Sequence, residues 1–289
     1  MLHKRLIGCL TIKNNIVVQS IGFHKYLPVG RLDIAVEFLN RWGIDEIMIL
    51  DIDATQENCK PNIPLLYSST QKNFTPLGVG GGITSIEDMR KLNYLGVEKV
   101  VLNTMAIENP NIIKQATEIF GNQFVVVSLD VKKNKSNRYE IFTHGGTKAT
   151  GLDPVKIAKQ VADLGAGEIL LTSIDRDGSQ KGYDIELIES VASRIPIPLI
   201  ACGGVGHPIH LHEGFQAGAS ACAAGNFFHF TEHSPVIVKA YLRERGVAVR
   251  IDTTISYDEA GFLENGRLAK RDQDYLEELR FQIVIEESI

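Results

Sequence analysis

The chain has 289 residues, 44% of them hydrophobic and 22% charged, with a formal net charge of -5 at neutral pH. That length and apolar content suit one large α/β core with a tail, and the acidic balance supplies no basic face for nucleic acid or an anionic membrane. No apolar run approaches the roughly 18 residues of a membrane span, and MLHKRLIGCL enters a strand pattern with no cleavage-site region, so a cytoplasmic protein is expected.

Along the chain, short β-branched runs alternate with segments of helical period. LIGCL (6–10) is followed by a helix pattern over 30–42 and then by EIMILDI (46–52) and TPLGVGG (75–81). A helix over 85–95 leads to KVVLNT (99–104), and one over 109–120 to FVVVSLDV (124–131). Helix patterns over 153–164, 184–194 and 207–217 then precede EILLTSID (168–175), IPLIACGG (197–204) and SACAAGNFF (220–228). Strands apolar on both faces belong to a parallel sheet wrapped by helices, and eight of them close a barrel. An open doubly wound sheet is the runner-up, but no GxGxxG follows the first strand.

An internal repeat favours closure. PLGVGGGITSIEDMRKLNYLGVEKVVLNTMAIENP from Pro76 has a second copy from Pro198, PLIACGGVGHPIHLHEGFQAGASACAAGNFFHFTEHSP, at an offset of about 120 residues. The expectation is a (β/α)8 TIM barrel of two half-barrel repeats over residues 1–250, with a C-terminal extension of unknown role over 251–289. At that offset KRLIGCLTIK falls on VVVSLDVKK, so Asp130 has Thr11 as its counterpart. One carboxylate therefore has no twin.

In such barrels chemistry gathers at the C-terminal ends of the strands. Those positions hold Thr11 and Lys13, Asp51 and Asp53, Asn103 and Thr104, Asp130, and Asp175 and Asp177, with glycine turns at Gly80–Gly82 and Gly203–Gly204 and a final Gly225-Asn226. Carboxylates from several strands meeting at one mouth repel each other and lose water, which raises a pKa into the working range. Asp130, followed by Val131-Lys132 rather than a helix start, reads as chemistry. For Asp53 and Asp175, capping of the next helix is an equally good reading. A glycine-rich strand end offers backbone N–H groups to an anion, so two phosphate sites are expected. One is lined by Gly81, Gly82, Asn103 and Thr104, the other by Gly178, Gly204, Gly225 and Asn226. The plain alternative is a tight turn and nothing more. Cys9, Cys59, Cys202 and Cys222 have no metal-ligand spacing and read as reduced thiols. No metal or cofactor is expected.

These residues carry a resemblance. The run from Met1 to about Arg250 resembles the cyclase (synthase) subunit of imidazole glycerol phosphate synthase, the HisF family, in KRLIGCL, LDIDA, VGGGI, NTMAIENP, GAGEILLTSIDRDG, GYD and the FHF around Phe230. The resemblance implies a barrel that receives ammonia from a separate HisH-like glutaminase subunit, passes it along its interior and closes an imidazole ring on a bis-phosphorylated ribulosyl substrate. It also implies acid/base aspartates at the ends of the first and fifth strands. Asp130 matches one; Thr11 stands at the other, and a hydroxyl is no substitute for a carboxylate base near neutral pH. The family's phosphate-binding lysine after strand one is Gln19 here, and its small residue and serine at strand eight are Gly225-Asn226. The charged ring that gates ammonia at the opposite mouth is matched by Arg5, Glu46, Lys99 and Glu168, for which a plain salt-bridge plug is the competing reading.

Within the family, THGGTKATGLDPVKIAKQ resembles a divergent branch that accompanies surface-polysaccharide genes. That likeness implies a glutaminase and an ATP-dependent sugar amidotransferase as partners, and conversion of an acetamido to an acetamidino group on a nucleotide-linked sugar. It leaves Asp130 and Asp177 as the acid/base or orienting groups, and Asp51 as a further mouth carboxylate. A genuine histidine-pathway cyclase, in which Asp51 or Asp177 replaces the missing base, is the alternative; a non-catalytic scaffold that activates a glutaminase is another. A phosphosugar isomerase on the same half-barrel repeat ranks last. The tail DQDYLEELRFQIVIEESI, with its apolar run Phe281 to Ile285, reads as a surface extension or docking segment and is assigned no chemistry.

Overall fold

The computed structural model describes residues 3–71, 73–229, 234–251, 257, 261–269, 272 and 274. Twelve strands run in chain order as β1 (Arg5–Lys13), β2 (Ile16–Ile21), β3 (Lys25–Gly30), β4 (Glu46–Asp51), β5 (Leu77–Gly80), β6 (Lys99–Leu102), β7 (Val125–Lys133), β8 (Tyr139–Thr143), β9 (Lys148–Ala149), β10 (Glu168–Ser173), β11 (Leu199–Cys202) and β12 (Ala221–Ala224). Eight of them pair in parallel in the order β10-β11-β12-β1-β4-β5-β6-β7, and the β10–β7 ladder closes the circle. This is the expected (β/α)8 barrel. The helices Leu32–Arg41, Ile86–Tyr94, Asn111–Phe120, Pro154–Asp163, Ile185–Ala192 and Pro208–Gln216 lie where the 3.6-residue period placed them.

Two longer helices lacked a clear sequence signal. Ile63–Thr70 has a weakly sided apolar pattern and starts on a local cap, Leu65 N donating to Asn62 Oδ1 at 3.2 Å. Pro235–Glu244 is buried over most of its length, so no polar face marks it. Among the described residues, no helix is long and apolar enough to cross a membrane.

The half-barrel repeat extends to features not read in the sequence. β1 runs on into the antiparallel hairpin β2–β3, and β7 into β8–β9. The first turn, Asn14-Asn15, has both residues at positive φ (50° and 63°), the conformation of a two-residue hairpin turn. Asp53 accepts Lys13 Nζ at 2.7 Å and Asn14 N at 2.6 Å, while Asp175 accepts Lys133 N at 2.9 Å. Repeat-related aspartates thus pin each hairpin to the following barrel strand, and neither caps a helix. Asp51 does that instead, its Oδ1 accepting N–H from Asp53 and Ala54 at 3.1 and 3.2 Å.

The apolar residues divide into two layers. Ile7, Cys9, Met48, Val101, Val126, Leu170, Ile200, Ala221 and Ala223 fill the barrel interior, and a larger set packs the outer strand faces against the helices. Cys9 and Cys222 are buried, Cys202 half-buried and Cys59 exposed. Beyond residue 250, the segment 261–269 is an antiparallel turn in which Phe262 bridges Leu268 and the Phe262 ring meets Tyr241 at 5.6 Å. The run Phe281 to Ile285 and Phe230 lie outside the described residues.

The helix Pro235–Glu244 is tied to the base of the barrel by a buried ion pair. Lys239 Nζ donates to Asp45 Oδ1 at 2.6 Å, with side-chain exposures of 3% and 7%, and the other carboxylate oxygen accepts Leu6 N at 2.7 Å. Removing one partner strands a buried charge. Asp45→Asn should therefore cost about 3 kcal/mol in a denaturant titration, and an unchanged midpoint would contradict this account of the tether.

Candidate active site

A cavity of about 640 Å³ opens at the C-terminal ends of the barrel strands. Asp130, near the end of the parallel part of β7, is only 9% exposed. Its Oδ2 accepts Asn103 Nδ2 at 3.2 Å and its Oδ1 accepts Ser128 Oγ at 3.3 Å. Among the described residues no ion pair offsets the lost hydration. Burial, reinforced by the nearby Asp177 charge, pushes this carboxyl from 3.8 up to about 7.

Asp177 is the second acid of the cavity. Burial raises it to about 6, while hydrogen bonds from Ser20 Oγ (2.6 Å) and from Phe23 N (3.4 Å) hold it below Asp130. These donors come from the β2–β3 hairpin, which folds back over the mouth. Ser20 was missed in the sequence because a serine inside IVVQSI looks like a solvated strand position. The Asn14-Asn15 turn was the available signal. Ser128 was missed for a similar reason, as one polar residue inside a buried run.

Thr11 stands four barrel strands from Asp130, across the axis, and lines the same cavity. Asp51 lines it too and is raised by burial, although its two backbone hydrogen bonds oppose the shift. The mouth thus gathers Thr11, Asp51, Asp130 and Asp177; Asp53 and Asp175 turn away to their hairpins.

Both glycine turns reach the cavity. Gly81, Gly82, Asn103 and Thr104 line one end, and Gly178, Gly204, Gly225 and Asn226 another. Gly82 (φ +68°) and Gly204 (φ +109°) have left-handed backbones, and a Cβ on either would be 3.1 Å from a neighbouring Cβ, of Ala54 and Arg176 respectively. Only glycine fits there. The asparagine amides are otherwise engaged: Asn103 Nδ2 serves Ser128 O and Asp130, and Asn226 exchanges two hydrogen bonds with the Ser20 backbone. An anion would therefore meet backbone N–H groups more than these side chains. Lys60 and Arg267, neither picked out in the sequence, are the lysine and arginine among the described cavity residues.

At the other end of the barrel, Arg5, Glu46, Lys99 and Glu168 meet in a closed ring. Arg5 reaches Glu46 and Glu168 at 2.7 Å each, and Lys99 reaches them at 2.8 and 3.0 Å. Each cation bridges both acids. Burial raises Glu46, with Lys99 and Arg5 pulling the other way. Four charges that cancel in pairs can close a desolvated mouth where one alone could not.

Comparison with known proteins identifies the family of the chain. The family described as "Histidine biosynthesis protein" matches residues 5–234. A protein of Chloroherpeton thalassium named imidazole glycerol phosphate synthase subunit HisF is 43% identical over 252 residues, 87% of this chain and 100% of its own length. A Vibrio vulnificus protein, provisionally named imidazole glycerol phosphate synthase subunit hisF2, is 41% identical over 259 residues, 89% of this chain and 95% of its own.

The raised Asp130 has a consequence for stability. Between pH 3.8 and about 7 the folded chain keeps a proton that the unfolded chain gives up, so stability falls as pH rises through that window. Asp130→Asn should stabilise the fold by on the order of 2–4 kcal/mol at about pH 8, with the gain shrinking towards pH 4. Thermal melts across that range read the effect; a variant no more stable than wild type at the higher pH would overturn it.

Proposed function

We propose that this chain, which belongs to the histidine biosynthesis protein family and within it to the HisF subunits of imidazole glycerol phosphate synthase, is the ammonia-accepting synthase subunit of such an enzyme. Its partner would be a HisH-like glutaminase docked at the Arg5, Glu46, Lys99 and Glu168 mouth. Ammonia is neutral and small, so it can enter an interior lined by Ile7, Met48, Val101 and Leu170 where an ammonium ion would pay a desolvation cost of several kcal/mol. At the far mouth it would meet an acceptor carrying a phosphate at each end, held by the two glycine turns.

The observation that carries this reading is the pair of proton-holding carboxylates, Asp130 at about 7 and Asp177 at about 6. Between those values Asp130 keeps its proton and Asp177 has lost its own, so one acts as acid and the other as base. That division supports Asp177 as the group that stands in for the absent first-strand acid. Both named relatives point to imidazole glycerol phosphate synthase, so ring closure on the histidine-pathway substrate is the leading reading, ahead of the sugar-amidinating role favoured by sequence likeness. Thr11 and the THGGTKATGLDPVKIAKQ likeness favour that second reading, with a nucleotide-linked sugar as acceptor and an ATP-dependent amidotransferase as a further partner.

Turnover with saturating ammonium salt and the histidine-pathway bis-phosphate, without glutaminase, separates the two. Imidazole product is expected, with kcat/KM forming a bell whose limbs fall near pH 6 and 7 as the pair titrates. Asp130→Asn should lower turnover by at least about a hundredfold, and Thr11→Asp should raise it. Phosphate binding without imidazole product would move the assignment to another acceptor. Unimpaired product formation by Asp130→Asn would remove the acid/base role altogether.

A further inference from the structure

The extension past the barrel was assigned no chemistry from sequence, yet its segment 261–269 reaches the active-site cavity. Arg267 lies on the cavity wall with Gly203, Gly204 and Gly206. The turn that carries it is fastened at several points. Tyr241 Oη donates to Glu264 O at 3.3 Å, and Ile209 N donates to Asn265 O at 3.4 Å. Gly266 is buried at φ +84°, where a Cβ would come within 2.6 Å of Pro208 Cβ and 3.1 Å of Tyr241 Cζ. Pro208 opens the helix Pro208–Gln216 directly after the Gly203–Gly206 turn. A glycine is thus required for the segment to lie against that turn, and the next residue is the arginine.

The location is chemically pointed. Each end of the cavity has a glycine turn and one cationic side chain. Lys60 follows Cys59, whose carbonyl abuts Gly82, and its Nζ is held at 2.6 Å by Asp88. Arg267 lines the same cavity and follows Gly266, which abuts Pro208 four residues beyond Gly204. That second end is where Asn226 commits its amide to the Ser20 backbone and so offers little side-chain help to an anion. A guanidinium supplies a planar fork of donors that suits a phosphate.

We propose that the segment 261–269 of the C-terminal extension completes the active-site mouth and that Arg267 is a positioning residue that binds the substrate phosphate at the Gly204 and Gly225 end. The proposal deepens the functional reading above and rests on its phosphorylated acceptor.

The test uses the full chain, with inorganic phosphate titrated into 15N-labelled protein and the amides of Gly204 and Gly225 followed separately from those of Gly81 and Gly82. Arg267→Gln should weaken phosphate binding about tenfold at Gly204 and Gly225 and leave the Gly81 and Gly82 end unchanged. Arg267→Lys should restore part of the loss, which a merely structural role would not predict. Gly266→Val, which forces the turn off Pro208 while keeping the arginine, should reproduce the loss. Equal weakening at both ends, or none with Arg267→Gln, overturns the proposal but leaves the phosphate reading intact. A wild-type chain with no phosphate response at either glycine turn overturns both.

Discussion

The withdrawal of the Asp130 carboxyl from water is the constraint on which the active mouth depends. Burial costs a charged carboxylate several kcal/mol unless a cation or several donors compensate, and among the described residues Asp130 receives a serine hydroxyl and an asparagine amide. The group meets the cost by keeping its proton. Its neighbours follow from that choice. Asn103 is drawn from the first glycine end to support the carboxyl, and Asp177 is held lower by hairpin donors so that the two acids titrate apart. A fold this large can carry such a locally unfavourable site because its interior and outer apolar layers are independently complete.

The half-barrel repeat explains why the site is asymmetric without being irregular. Asp53 and Asp175 are equivalent, and each fixes a hairpin by accepting a backbone N–H at its start. The two hairpins then differ in use. The first lays Ser20 and Phe23 on Asp177, while in the second the backbone of His144 engages Thr104. Thr11 and Asp130 occupy equivalent strand positions, and the same antiparallel hairpin follows each.

Much of this was legible in the chain. Eight doubly apolar runs, six helix periods and the duplicated glycine turns give the barrel, because long periodic segments have only one way to bury their faces. The mouth acids could be read because a carboxylate ending an apolar run is costly and rarely idle. The ring of Arg5, Glu46, Lys99 and Glu168 came from family likeness, since nothing in the spacing of four charges over more than 160 residues announces that they meet. What escaped depended on folding back. Ser20 reaches Asp177 only because Asn14-Asn15 reverses β1, and Asp51 caps its helix where Asp53 was the more obvious donor of a cap. Arg267 was invisible for the same reason at longer range. Its position is set by Gly266 against Pro208, a contact between segments that share no periodicity.

The same electrostatics dictates where cations can stand. A guanidinium or ammonium within about 4–6 Å of Asp130 would draw its pKa down by about 1–3 units and abolish its proton-holding role. Among the described residues the lysine and arginine that line the cavity, Lys60 and Arg267, lie off the strands that carry the acids. The proposed doubly phosphorylated acceptor would need positive charge to offset its own lost hydration. Cations carried on loops and appendages would supply that charge without displacing the barrel strands. Lys60, on the loop after β4, and Arg267, on the extension, are both placed in that way.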